Sequence, residues 1–504
     1  MTRILLTTIN AKWTHPSLAL RLLKANLGTL ASQAEILEFA LRQPLEEKVS
    51  AILAAKPLLL GLSVSIWNHK ASIELLEALE QNWSWGQGMG KPIVVLGGPE
   101  VSHLPPETEI FRYANYVIRG EGEESFRLLC ETVFSESKEN EMFNTEAFFI
   151  NDGKATVDIN KISSAYHLYT DEDISRKLIY VEASRGCPFT CDFCQGGLTA
   201  MREFPLDTFL TEMDTLIQRV NTRSQDSLVK RASAGSKLEV LKKPQMIFKF
   251  LDRTFNLNMN RAKRIMEFFL ERPGTQVHFE MVPSRFPPEL REVLCRFPPG
   301  SLRLELGIQT VNPEVKSRLR LSGDANKELE TLAFLRDETN AIVHADLIAG
   351  LPGENYASFG AGFDSVWQVM SGASGISKAQ GIAKNPFEIQ LGILKCLNGT
   401  PIYRHTEAFG MRYSTEPPYE VIETSALSAS GLDRIKNFAR FWELIVNRNP
   451  FPDLTPLIVP PGEKAFNRFM GISDTLLAKF GKNWGIAKSE LRLVLESILN
   501  GKGL

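Results

Sequence analysis

Apolar residues recur in short continuous runs over roughly the first 135 positions, separated by stretches of helical spacing. RILLTTI, AEILEFAL, PLLLGLSVSIW and KPIVVLGGPEV are strand-like; SLALRLLKANLGTL and HKASIELLEALEQNW carry an apolar face every three to four residues. Strands that are apolar on both sides, alternating with helices, predict a parallel sheet covered on both faces. The fold class predicted for residues 1–140 is therefore α/β, a doubly wound, Rossmann-like parallel sheet with its ligand at the carboxyl ends of the strands. Residues 141–175 are polar and mixed and are expected to be a linker. A second alternating series begins at KLIYVEASRGC and continues through QMIFKFLDRTF, QVHFEMVP, SLRLELGIQT, AIVHADLIAGLP and FEIQLGILKC. These predict a partial β/α barrel over 176–400, with functional residues at the strand ends. A Ser-, Lys- and Arg-rich stretch at about 219–243 interrupts the barrel and reads as a mobile surface insertion. Residues 401–504, with LDRIKNFARFWELIVN and ELRLVLESIL, predict a small, mostly helical C-terminal domain.

Composition narrows the class. The 504-residue chain has a formal net charge of −2 and 43% hydrophobic residues, ordinary for a globular protein and a poor match to a nucleic-acid partner. No apolar run reaches the ~18 residues of a membrane span. The N-terminus, MTRILLTTINAKW, reads as a first strand rather than a signal peptide, which makes the cytoplasm the expected location.

The cysteines change the picture most. Cys187, Cys191 and Cys194 fall within eight residues, whereas Cys130, Cys295 and Cys396 are scattered. Three thiolates on one loop can hold three irons of a four-iron, four-sulfur cubane and leave the fourth iron open to a small molecule. Structural zinc is the alternative, but zinc normally takes four ligands and no fourth cysteine or histidine stands nearby in the sequence.

The spacing C-x-x-x-C-x-x-C, with aromatic Phe193 before the last cysteine, resembles the signature of the radical S-adenosylmethionine (SAM) superfamily. That resemblance implies a 4Fe-4S cluster that cleaves SAM reductively, and hence an external one-electron reductant of flavodoxin or ferredoxin type. It extends along the barrel. Phe193 resembles the aromatic residue whose backbone approaches adenine, HFEMVP the segment whose acid, here Glu280, binds SAM. LELGIQT would turn Gln309 towards SAM, and ADLIAGLPGE would place Asp346 on the nucleoside. Taken singly, Glu280 also reads as a strand-end acid and Asp346 as a helix cap. Arg318 and Arg320 lie near, but out of register with, the family's carboxylate-binding arginine; Asp252 and Asn256 are polar pocket or turn residues.

GGPEVSHLPPE followed by YVIRGEGEESF resembles cobalamin-binding domains fused to radical SAM barrels. The resemblance implies cobalamin near the glycine turns Gly97, Gly98, Gly120, Glu121 and Gly122. The family's Asp-x-His-x-x-Gly ligand motif is missing, so His15, His69 and His103 are read as polar or capping residues. The implied activity is methylation of an unactivated carbon in a small-molecule substrate. Rearrangement, cyclisation, methylthiolation, or a cobalamin-binding sensor with an idle barrel are the alternatives.

Overall fold

The structure is a computed structural model, described over residues 3–83, 91–135, 147–233, 246–372 and 387–501. The chain forms two compact units, residues 1–186 with 198–251, and 187–197 with 252–504.

The first unit opens with β1 (Ile4–Asn10), α1 (Leu18–Ala25), β2 (Ala34–Ala40), α2 (Leu45–Ala55), β3 (Leu59–Ser63), α3 (His69–Asn82), β4 (Ile93–Gly97), β5 (Tyr116–Ile118), α4 (Glu123–Ser135) and β6 (Phe148–Ile150). All six strands are parallel, in the order β2-β1-β3-β4-β5-β6. Ile4 and Leu6 of β1 pack with Leu20, Phe126 and Cys130, while Leu5 and Ile9 face Ile52, Leu75 and Leu79 on the other side. Burying each such side chain contributes about 1.5–3 kcal/mol, which is why β1 carries no exposed polar face. The order in which strands are added reverses between β1 and β3, the position where a doubly wound sheet opens its crevice. Buried Asn68 ties the two strand ends there, donating to the Ile9 carbonyl at 2.9 Å and accepting from the Ser65 amide at 2.7 Å.

The unit continues with α5 (Asp171–Arg176), β7 (Ile179–Val181), the antiparallel pair β8 (Ser184–Arg185) and β9 (Arg202–Glu203), α6 (Leu206–Ser233), and β10 (Met246–Phe250), which pairs in parallel with β7. Two expectations change here. The stretch read as a linker holds β6, the outermost strand of the first sheet; three residues are too few to show a period. The stretch read as a mobile insertion is helical as far as Ser233, and its remainder lies outside the described residues.

The second unit carries the cysteine loop, then α7 (Met259–Leu270), β11 (Thr275–Met281), α8 (Pro288–Cys295), β12 (Leu302–Gln309), α9 (Pro313–Arg318), α10 (Ala325–Glu338), β13 (Ile342–Ala349), α11 (Tyr356–Ser371) and β14 (Phe387–Ile393). Strands β11 to β14 pair in parallel in chain order, the strand–helix succession of a β/α partial barrel. Here burial alternates. Leu302, Leu304, Leu306 and Ile308 are fully buried, while Arg303, Glu305, Gly307 and Gln309 between them face the other way.

A small hairpin, β15 (Arg412–Tyr413) with β16 (Val421–Glu423), leads to α12 (Ala429–Trp442), α13 (Thr455–Ile458), α14 (Phe466–Phe480) and α15 (Lys488–Leu499). Phe363 of α11 lies 4.8 Å from the Trp442 ring and 5.1 Å from the Phe438 ring, and Phe466 joins the same group. The C-terminal helices thus share an aromatic core with the last barrel helix instead of closing one of their own.

Candidate active site

The cysteine loop, residues 187–197, follows β8 directly. Cys194 closes a turn by donating its amide to the Cys191 carbonyl at 3.1 Å, and the Gly196 amide points at Cys194 Sγ at 3.3 Å. A side chain at Gly196 would stand 3.3 Å from that sulfur, so its absence leaves the thiol face clear. The three cysteines are half-buried. Burial, with the neighbouring thiols next, pushes Cys191 up to about 11 and raises Cys187 as well; ligation must therefore displace protons. Among the described residues no three ligating side chains converge on one ion position. A cubane does not ask them to, because each thiolate takes a different iron.

Asp192, within the loop, is fully buried and holds it in place. Its carboxylate accepts from Arg320 Nε at 2.8 Å, Arg404 Nη2 at 2.6 Å and His405 Nε2 at 2.6 Å, and its amide donates to the Leu319 carbonyl at 3.2 Å. These cations and the hydrogen bonds hold the Asp192 carboxyl below the usual carboxylate range against the opposing effect of burial, the largest single influence on it. Gln195 adds a bond to the Asn398 carbonyl at 2.8 Å. Sequence reasoning passed over Asp192, Arg404 and His405, because partners some 213 positions apart leave no local signal. Arg320 is committed to Asp192, and Arg318 donates to the Pro352 carbonyl at 2.6 Å while lying over Phe409.

Arg253, in the FLDRTFN segment, lies beside Gly196 and reaches Glu280 at 3.4 Å, so it links the cysteine loop to the strand end of β11. Glu280 pairs in register with Glu305, and Asp346 with Gly307, on the polar face of the sheet. Gln309 ends β12 in a bulge at φ +64, a left-handed conformation that non-glycine residues adopt at a cost and that clusters at functional sites. Its side chain folds over Gly307, where a Cβ would stand in its way. Phe193 is half-buried in the loop. On the same face lie His278 with Glu305 at 3.1 Å and His344 with Glu388 at 3.2 Å, and Gln390 bonds His344. The i, i+2 spacing of these residues was the available sign of a polar lumen. Asn256 instead braces the β11–α8 connection, bonding the Val282 and Arg285 carbonyls.

In the first unit the glycine turns have distinct roles. Gly98 at φ +104 and Gly120 at φ +74 bring backbone against backbone: a Cβ would meet the Val64 and Ala155 carbonyls at 2.5 Å. Gly97 is different, with only the Ile118 carbonyl at 3.8 Å, which leaves space on that side at the end of β4. Gly122 has ordinary clearance. Glu121 is bound up in an ion network with Arg202 and Arg185, which also holds Glu123 and Glu182. Each histidine has a protein neighbour: His15 bonds Tyr180, His69 bonds Glu100, and His103 lies against Gly153.

Family comparison adds the deciding observation. Residues 181–364 match the model of the radical SAM superfamily, and residues 4–129 that of the B12 binding domain.

The chain carries a radical SAM superfamily domain and a B12-binding domain.

Its cofactors are those of the two domains, a 4Fe-4S cluster with SAM, and cobalamin. The cysteine loop and the strand ends of β11 to β13 suit the first pair, and the space beside Gly97 suits a flat ligand at the strand ends. Among curated proteins, the cobalamin-dependent radical SAM methyltransferase TokK of Streptomyces tokunonensis is 26% identical over 190 residues, 34% of this chain. The matched stretch spans only 27% of that relative. The solved structure of the cobalamin-dependent SAM radical enzyme OxsB superposes over 99% of this chain and 75% of its own, with a TM-score of 0.63 and 15% identity. That of the radical SAM methyltransferase TsrM of Kitasatospora setae covers 82% and 79%, with a TM-score of 0.56 and 15% identity. These likenesses establish the fold. No helix among the described residues is long and apolar enough to cross a membrane.

Proposed function

We propose that this radical SAM enzyme uses cobalamin to methylate an unactivated carbon of a small polar molecule. The observation that carries the reading is the union of a braced cysteine loop with a B12-binding domain in one chain. TokK and TsrM, both named as methyltransferases, favour methyl transfer over rearrangement. When bound, the cluster and SAM supply one-electron chemistry at a carbon atom, and cobalamin supplies a transferable methyl group.

The chain's own residues do the rest. Cys187, Cys191 and Cys194 hold three irons, and Asp192 fixes the loop that carries them. Glu280, Gln309 and Asp346 bind SAM on the polar face of β11 to β13, with the backbone at Phe193 against adenine. Arg253 orients Glu280. His278, Glu305, His344 and Glu388 also line that face and suit a substrate rich in hydrogen-bonding groups. On the cobalamin side Gly97 lies against the ligand, Gly98 and Gly120 set the turns, and Glu121 and Gly122 position the second turn. We place domain boundaries near 175 and 400, the enzyme in the cytoplasm, and its electron source in a flavodoxin- or ferredoxin-type protein.

Anaerobic reconstitution with iron, sulfide, hydroxocobalamin and SAM tests this. Reduced protein should release 5′-deoxyadenosine and S-adenosylhomocysteine, read by mass spectrometry. Deoxyadenosine without any S-adenosylhomocysteine would leave a radical SAM enzyme that transfers no methyl group.

A further inference from the structure

The second unit carries a cavity of about 510 Å³ beside the connection between β11 and α8. Three cations line it, Arg285, Arg291 and Lys327, against one carboxylate, Glu330. The lining is thus positive in a chain whose formal net charge is −2. Arg285 and Lys327 are exposed, and neither is in an ion pair among the described residues. Arg291 donates to the Phe286 carbonyl at 3.0 Å and lies over Phe334, which leaves its charge uncompensated. The chain pairs most of its arginines elsewhere, so gathering three unpaired cations at one opening runs against electrostatic self-repulsion.

The opening adjoins the cysteine loop. The Arg285 guanidinium lies 5.9 Å from the ring of Phe189, which stands between Cys187 and Cys191. Pro188 and Thr190, on either side of Phe189, are exposed. The outer edge of the loop therefore reaches the surface where the free cations are. A local positive field speeds the encounter with an anionic surface and orients it, and contributes more to association rate than to final affinity.

We propose that Arg285, Arg291 and Lys327 form the docking surface for an acidic one-electron donor protein, which passes its electron to the cysteine loop past Phe189. The proposal rests on the reading that the three cysteines hold the cluster. With a flavodoxin as donor, the anionic flavin hydroquinone loses one electron and becomes the neutral semiquinone. The cluster gains that electron, passing from the 2+ to the 1+ state, and no proton need move.

The test uses the full chain, reconstituted anaerobically, in wild-type form and as the double variant R285E/K327E. Neither residue belongs to the binding machinery described above. Cluster bleaching is followed after mixing with reduced flavodoxin, and separately with dithionite, which needs no docking surface. The bimolecular rate with flavodoxin should fall about tenfold or more in the variant, while the dithionite rate stays the same. Raising the salt concentration should slow the wild type steeply and the variant little. Titration of oxidised flavodoxin into the chain, with or without a cluster, should show the same loss of affinity. Equal flavodoxin rates and affinities in both proteins would overturn the proposal, as would a wild type that accepts electrons from dithionite but never from flavodoxin. If dithionite produces no reduced cluster in either protein, the cluster reading fails instead, and the binding titration still decides the surface.

Discussion

The two parallel sheets are built from the same strand–helix unit yet differ in what their faces do. In the first, β1 is buried along almost its whole length and packs apolar side chains to both sides. In the second, β12 alternates strictly, with one face against the helices and the other carrying Arg303, Glu305 and Gln309. A two-sided core can work only at its strand ends, through backbone and turns. A one-sided core can line a lumen with side chains. On this contrast the B12-binding half should recognise by shape, and the radical SAM half by side-chain chemistry.

The largest effects should fall on the side-chain half. Replacing Cys187, Cys191 or Cys194 by alanine should abolish iron uptake in reconstitution, while C295S and C396S keep it; iron and sulfide analysis decides. Full iron in any of the three alanine variants would dissolve the contrast between the halves. Next, Asp192→Ala removes the one carboxylate among Arg320, Arg404 and His405. Because Arg320 and Arg404 keep 42% and 44% of their side-chain exposure, the loss costs about 1–2 kcal/mol, read as a lowered urea midpoint, and the cluster should be lost faster in air. An unchanged midpoint would show that the loop stands without its brace.

The shape-based half is sharpened by its glycines. Gly98→Ala forces a Cβ to 2.5 Å from the Val64 carbonyl at a φ of +104, at a cost of about 1–3 kcal/mol. Gly97→Ala meets nothing nearer than 3.8 Å, so stability should stay within about 0.5 kcal/mol while cobalamin affinity falls. If Gly97→Ala binds cobalamin as well as wild type, the space at β4 is not the ligand's. A separate, pH-dependent effect concerns Glu354, buried and bonded to Thr310 at 2.6 Å. Burial pushes its carboxyl up to about 7 from 4.5. A raised folded-state value means that the stability contributed by the proton is complete below about 4.5 and is lost as pH rises through about 7. Glu354→Gln should flatten that part of the stability–pH profile, and equal slopes would place the titration elsewhere.

The same contrast explains how much could be read in advance. Both sheets follow from apolar period, and Cys187, Cys191 and Cys194 declare themselves because their chemistry is local in sequence. Glu280, Gln309 and Asp346 were singled out because their segments resemble successive strands of the family's barrel, although Asp346 lies within β13 and not at its end. Asp192 was not, since what makes it matter is the approach of residues 320, 404 and 405. Nor was the use of Gly98 and Gly120 for self-packing, because a glycine looks alike beside a ligand and beside a carbonyl. Strand β6 escaped notice as an edge strand of three residues, and α6 because its sequence from Arg219 onward lacks a clear period.

One measurement bears most directly on the central claim, that three cysteines hold a cluster whose fourth iron is open to SAM. Electron paramagnetic resonance of the reduced, reconstituted protein should show a fast-relaxing spin-½ signal, and adding SAM should change its g-values, because SAM becomes a ligand of the open iron. A signal indifferent to SAM, or none in protein with full iron and sulfide content, would contradict it.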